Sequence, residues 1–214
     1  MLRRTHTLCT LFSFALCLTM ITGCFRNSTL FGEPATIITS GYFSATKSLP
    51  PQLQKKLPTD YVFYTPQQTT NCVIPPQQFS KTAFNNLSLN FLWTGAQHNL
   101  PIDGTTYSAM PSAGQTATYN GTELLITSEF CQENLSLLAV LDWDNNGYKD
   151  WLALYSYKSR VQPETSTRLL LIRDIQPNRI LTATVLSASE CYGKNCQKFT
   201  GHSLSEFLEY QPAY

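Results

Sequence analysis

The chain has 214 residues, with 15 Lys and Arg against 14 Asp and Glu, a net charge of +1 and only 14% charged side chains. Near neutrality with sparse charge excludes the basic face that nucleic acid requires and a polybasic patch for membranes. The length, with 43% hydrophobic residues, fits one domain plus a tether.

The N-terminus opens Met1-Leu-Arg3-Arg4-Thr-His6, followed by a mostly apolar run from Leu8 to Ile21. A cationic start before an apolar run of roughly 15 residues predicts a secretory signal. That run is short of the roughly 20 residues a transmembrane helix needs. Thr10, Ser13 and Thr19 also interrupt it with polar groups. Arg3-Arg4 lacks the bulky apolar residues that follow the pair in twin-arginine signals.

Ile21-Thr22-Gly23-Cys24 closes the run. It resembles the bacterial lipobox, an aliphatic residue and two small ones before a cysteine. The resemblance implies cleavage after residue 23 and a lipid-carrying Cys24 as the mature N-terminus. Phe25 follows rather than Asp, which by resemblance to proteobacterial lipoproteins implies the outer membrane, facing the periplasm or the cell surface. The membrane is then a partner through the N-terminal lipid. Loss of Arg3 and Arg4 with the leader leaves 13 basic residues against 14 acidic ones.

The expected organisation is a leader over residues 1–23, a tether and first strand region over 24–50, and one β-rich domain over 51–214. Regular structure before Tyr61 is expected only across Ala35–Phe43, because Pro50, Pro51 and Pro58 punctuate the stretch. Beyond it, β-branched and aromatic runs alternate with turn residues. Strands are predicted at Tyr61–Tyr64, Leu87–Trp93, Thr122–Phe130, Leu135–Asp142, Trp151–Tyr157, Arg168–Arg173 and Ile180–Ser187. Within the fifth, Trp151, Ala153, Tyr155 and Tyr157 share one face, and Leu152, Leu154 and Ser156 the other. Short strands without long helical periodicity predict an all-β fold, an antiparallel sandwich or barrel-like domain. A helix is expected only at the C-terminus, where Ser203-Leu-Ser-Glu206 forms a capping box and Leu204, Phe207 and Leu208 share a face.

Of the seven cysteines, Cys9 and Cys17 lie in the leader and Cys24 is assigned to lipid. Cys72, Cys131, Cys191 and Cys196 remain, an even set that reads as two disulfides in an oxidising compartment. Three pairings are possible. Cys191–Cys196 is favoured, because Gly193 and Asn195 can turn the chain between them. Cys72–Cys131 would then close a long loop, worth on the order of 4 kcal/mol by chain entropy. A zinc site fits poorly: no Cys-x-x-Cys pair exists, and only His98 and His202 could assist.

One segment carries sharp local chemistry. Asp142-Trp-Asp144-Asn-Asn146-Gly147-Tyr148-Lys-Asp150 places oxygen side chains at loop positions one, three, five and nine, with glycine at six. Calcium takes six to eight oxygen ligands, and a wrapping loop presents alternate side chains to it. The glutamate an EF-hand needs at position twelve would fall on Ala153, and the flanks read as strands. The segment resembles the strand–loop–strand calcium motif of FG-GAP and VCBS repeats. That resemblance implies Asp142, Asp144, Asn146 and Asp150 as side-chain ligands and the Tyr148 carbonyl as another. It covers about 20 residues, and one copy does not carry the propeller those repeats build. The competing reading is a plain hairpin turned by Asn145-Asn146-Gly147.

Catalytic signals are weak. Gly201-His202-Ser203-Leu204-Ser205 superficially resembles a nucleophile elbow but lacks the final glycine, and no histidine follows Ser203. Glu123, Glu129 and Glu133 lie close enough in sequence to suggest a glycosidase pair. The expectation is a lipid-anchored, non-enzymatic binding or assembly module of the cell envelope with structural calcium, its partner another envelope protein or a glycan. The alternative is an envelope hydrolase acting on glycan.

Overall fold

The computed structural model describes residues 33–66, 73–92, 104–110 and 114–201. Cys24, Cys72, His98, His202 and the expected C-terminal helix lie outside the described residues. By its internal contacts the chain divides at Phe31/Gly32, and all described residues belong to the second unit.

That unit is built on one nine-stranded sheet. β5 (Cys131–Leu141), β6 (Asp150–Ser159), β7 (Glu164–Ile172), β8 (Ala183–Tyr192) and β9 (Asn195–Thr200) form an antiparallel meander. Hairpins between consecutive long strands dictate this order, since antiparallel neighbours need only short connections. The outer edge of β5 is shared. Its first half pairs with β4 (Glu123–Thr127), which in turn pairs with β3 (Thr116–Asn120). Its second half pairs with β1 (Ala35–Ile37), and β2 (Tyr61–Phe63) lies parallel to β1 outside it.

The central strands are apolar on both faces because both faces are covered. On β6, Trp151, Ala153, Tyr155 and Tyr157 enter one core while Leu152 and Leu154 enter the other. This matches the two-faced reading of that strand. The first core is closed by α3 (Phe79–Asn86) and by 3-10 turns at Pro76–Gln78, Leu89–Leu92 and Tyr107–Ala109. Phe79 meets Trp151 edge-to-face with ring centroids 5.1 Å apart. The second core is closed by α1 (Gly41–Lys47) and α2 (Pro51–Gln54), with Tyr42, Leu49 and Leu53 set against Leu138, Leu152 and Leu169.

The all-β class is as expected; among the described residues one nine-stranded sheet carries short helical segments on its faces. Two corrections follow. Helix is not confined to the C-terminus, since α1, α2 and α3 all lie upstream. The described part of the expected Leu87–Trp93 strand, residues 87–92, is not a strand: isolated bridges at Leu87 and Ser88 give way to the 3-10 turn, and Trp93 lies outside the described residues. Its alternating Leu87, Leu89 and Phe91 still all point into the first core, so burial is satisfied without a ladder. Ala35, Ile37, Tyr42 and Leu49, expected within the tether region, are buried core residues of the domain.

The expected Cys191–Cys196 disulfide is formed. The two residues face each other directly across the β8–β9 hairpin, and Gly193 in its turn adopts φ +60°. Cys131 is a free thiol rather than half of a second disulfide.

Candidate metal centre

The Asp142–Asp150 segment connects β5 to β6, so the strand–loop–strand context expected of it is present. A hairpin joining two strands needs only about two residues. Here β5 ends at Leu141 and β6 begins at Asp150, leaving a longer loop. Asn145 (φ 56°) and Gly147 (φ 83°) both take left-handed backbone to curl it. Gly147 sits at the position where the calcium motif requires a sharp turn.

The curl brings three carboxylates together. One oxygen each from Asp142, Asp144 and Asp150 lies within 4.8 Å of the others, a grouping able to hold a metal ion. Asp142 and Asp150 are held by backbone amides. Asp142 Oδ1 accepts the Asn146 N–H at 3.0 Å, and its Oδ2 accepts that of Gly147 at 2.8 Å. Asp150 Oδ2 accepts from Trp143 at 2.9 Å and Oδ1 from Asp174 at 3.3 Å. Each carboxylate oxygen keeps further lone-pair capacity beyond one N–H. Asn146 Oδ1 accepts the Tyr148 N–H at 2.7 Å, which orients the expected fourth side-chain donor within the loop.

Asp150 is the deepest of these groups at 1% exposure, whereas Asp144 is exposed. Burial pushes the Asp150 carboxyl up from an ordinary 3.8 to about 6. The Trp143 and Asp174 amides oppose that rise, and the neighbouring Asp144 and Asp142 charges add to it. The loop's own cation does not relieve the crowding, because Lys149 forms an ion pair with Glu33. Trp143 is buried in the second core and fixes where the loop leaves the sheet.

A second polar cluster was not legible in the sequence. Glu133 Oε2 accepts the Tyr107 hydroxyl at 2.6 Å and the Tyr155 hydroxyl at 3.1 Å. The Cys131 thiol lies 3.9 Å from its Oε1. Burial pushes the Glu133 carboxyl up, against the lowering effect of these donors. Both phenols are driven well above their usual range, first by burial and then by the Glu133 charge. Of the three glutamates weighed as a glycosidase pair, Glu123 and Glu129 are exposed and only Glu133 turns inward. Nearby, Arg168 is buried, donating to the Phe91 carbonyl and pairing with Glu190 at 3.1 Å.

On the opposite face, a groove of about 310 Å³ runs between α1 and β6–β9. Ser44, Ser48, Thr167 and Lys198 supply polar groups above an apolar floor that includes Leu154 and Leu169. No family model matches the sequence, and comparison with curated proteins and with solved structures finds no match.

Proposed function

We propose that the chain is a lipid-anchored protein of the bacterial cell envelope, in which a β-rich binding or assembly module is stiffened by calcium in the Asp142–Asp150 loop. The observation that carries the calcium assignment is the convergence of Asp142, Asp144 and Asp150 within 4.8 Å. These donors are all oxygen, the preference of a hard cation, with no soft sulfur or imidazole among them. Three carboxylates this close repel one another, and a divalent cation converts that repulsion into attraction. The preorganised Asp142 and Asp150 carboxylates lower the ordering needed when the ion binds. The ion's role is structural: it ties the β5–β6 loop, and through the Asp150–Asp174 contact the β7–β8 connection, at one end of the sheet.

The address rests on the lipobox-like Ile21-Thr22-Gly23-Cys24 at the end of an apolar leader. The groove beneath α1, with hydroxyls and one lysine over leucines, suits a polar ligand such as a glycan or a peptide segment.

Two measurements test the two halves separately. EDTA is expected to lower the melting temperature and added calcium to restore it. Asp144→Ala, at an exposed position, should remove that response while leaving the metal-free melting temperature nearly unchanged. Equal melting of wild type with and without calcium overturns the metal site. For the anchor, metabolic palmitate labelling should tag the wild-type chain and not Cys24→Ser. Equal labelling of the two overturns the lipid assignment.

A further inference from the structure

Phe43, Tyr61 and Phe63 form an aromatic cluster on the surface, not in either core. They are 40%, 49% and 59% exposed, and Val62 beside them is exposed as well. Phe43 on α1 packs edge-to-face on Tyr61 at 5.3 Å between centroids, and Tyr61 on Phe63 at 5.8 Å. Such contacts hold the rings as one rigid apolar patch, which a soluble surface rarely leaves without a partner.

Three observations say what that partner is. The first is position. β2 lies parallel to β1, and Tyr61 is in register with Ala35, two residues from the first described residue, Glu33. From Cys24 to Glu33 the chain reaches at most roughly 30 Å when fully extended. A bilayer that holds Cys24 therefore lies within reach of this edge of the sheet. The second is charge. Between Gly41 and Phe63 the charged residues are Lys47, Lys55, Lys56 and Asp60, all exposed: fewer than a polybasic patch, but a local balance that does not repel anionic headgroups. Lys47 is one helical turn beyond Phe43, on the same side of α1. The third is the edge itself. β2 is three residues long, too short to offer a useful ladder to an added strand from a protein partner.

We propose that the Phe43–Tyr61–Phe63 cluster, flanked by Lys47, is a second contact with the lipid bilayer, seating the domain on the membrane surface next to its anchor. The inference rests on the Cys24 anchor proposed above. Partly exposed aromatic rings and lysines are the side chains that settle at the headgroup boundary, the rings buried shallowly and the amines in the phosphate layer. An exposed aromatic surface with lysines beside it adds membrane contact to that of the anchor's own chains and fixes how the domain sits on the surface.

The test uses the full chain, processed in bacteria and reconstituted into vesicles of phosphatidylethanolamine and phosphatidylglycerol with brominated acyl chains. Phe63→Trp is expected to lose a large part of its added fluorescence to bromine quenching. Val161→Trp, exposed in the hairpin at the opposite end of β6, should lose none. Equal quenching at the two positions, or none at Phe63→Trp, overturns the proposal. Phe43→Ser with Tyr61→Ser should lower the vesicle-bound fraction of the non-acylated Cys24→Ser chain roughly tenfold. Binding unchanged in that variant, or a dimer in solution that the same substitutions dissolve, assigns the patch to a protein contact instead. Palmitate labelling reports the anchor independently. A labelled chain without quenching removes the second contact alone, and an unlabelled chain that still binds vesicles through Phe63 removes the anchor alone.

Discussion

Asp150 concentrates the chemistry of the loop in one side chain. Its two oxygens accept the Trp143 and Asp174 amides, so it belongs to the β5–β6 and β7–β8 connections at once. Asp150→Ala orphans both donors, and denaturant unfolding should register a loss of about 2–5 kcal/mol. Asp150→Asn keeps one good acceptor and should lose less. The pH response has a definite sign. With the folded carboxyl raised to about 6 from 3.8, its contribution to stability is fully present below pH 3.8 and is lost as pH rises through about 6. In EDTA, melting should therefore fall between pH 4 and pH 6.5 more steeply for wild type than for Asp150→Asn. Identical slopes contradict the assignment. The spacing of Asp142, Asp144 and Asp150 was readable along the chain because a loop binds through local periodicity. The Glu133 network was not readable, because Tyr107 and Tyr155 reach it from distant positions that only the folded sheet brings together.

Among the elements, the long strands were the most legible. β6 shows two-residue alternation of bulky aromatics and leucines, and its faces separate accordingly. β9 and β3 were missed because polar residues break any apolar run in them (Thr and Asn in β3; Asn, Gln, Lys and Thr in β9), and both lie at sheet margins with little burial. The helices were missed for a different reason. α3 has no side-chain cap and buries only Phe79, Ser80 and Ala83, so its periodicity spans barely two turns. Its stability comes from packing Phe79 on Trp151 rather than from propensity. The misread of Leu87–Trp93 has the same root, since alternation of buried Leu87, Leu89 and Phe91 does not distinguish a strand from a tightly wound turn. At the β8–β9 hairpin, Cys191 and Cys196 close a short loop around an exposed edge strand. Replacing both by serine should lower stability by about 2 kcal/mol in urea. Hydrogen exchange should rise in Asn195–Thr200 first, with β5–β7 unaffected.

At the scale of the molecule, the proposed calcium site would be linked to the fold by mass action. A cation that binds only the folded loop stabilises it by about 2.7 kcal/mol at 100 times its dissociation constant. The melting temperature should therefore climb with the logarithm of free calcium above that constant, and stay level for Asp144→Ala. Calorimetry across a calcium series reads this directly. The single covered sheet was beyond reach of sequence reasoning, because apolarity on both faces of β5 to β7 fits a second sheet as well as a coat of short helices.

The shared outer edge of β5 carries a mechanical meaning. β1 holds to β5 through two register pairs, Thr36 with Val140 and Ile37 with Ala139, and through the Ile38 and Thr39 N–H groups on the Leu138 carbonyl, whereas β5 holds to β6 along nearly its full length. A load applied at Glu33 thus falls first on a short seam at the edge of the sheet. That seam lies beside the Glu33–Lys149 ion pair at the rim of the acidic loop. The first strand can peel away while the five-strand meander keeps its ladder, so the sheet yields at its N-terminal edge before it yields at its core.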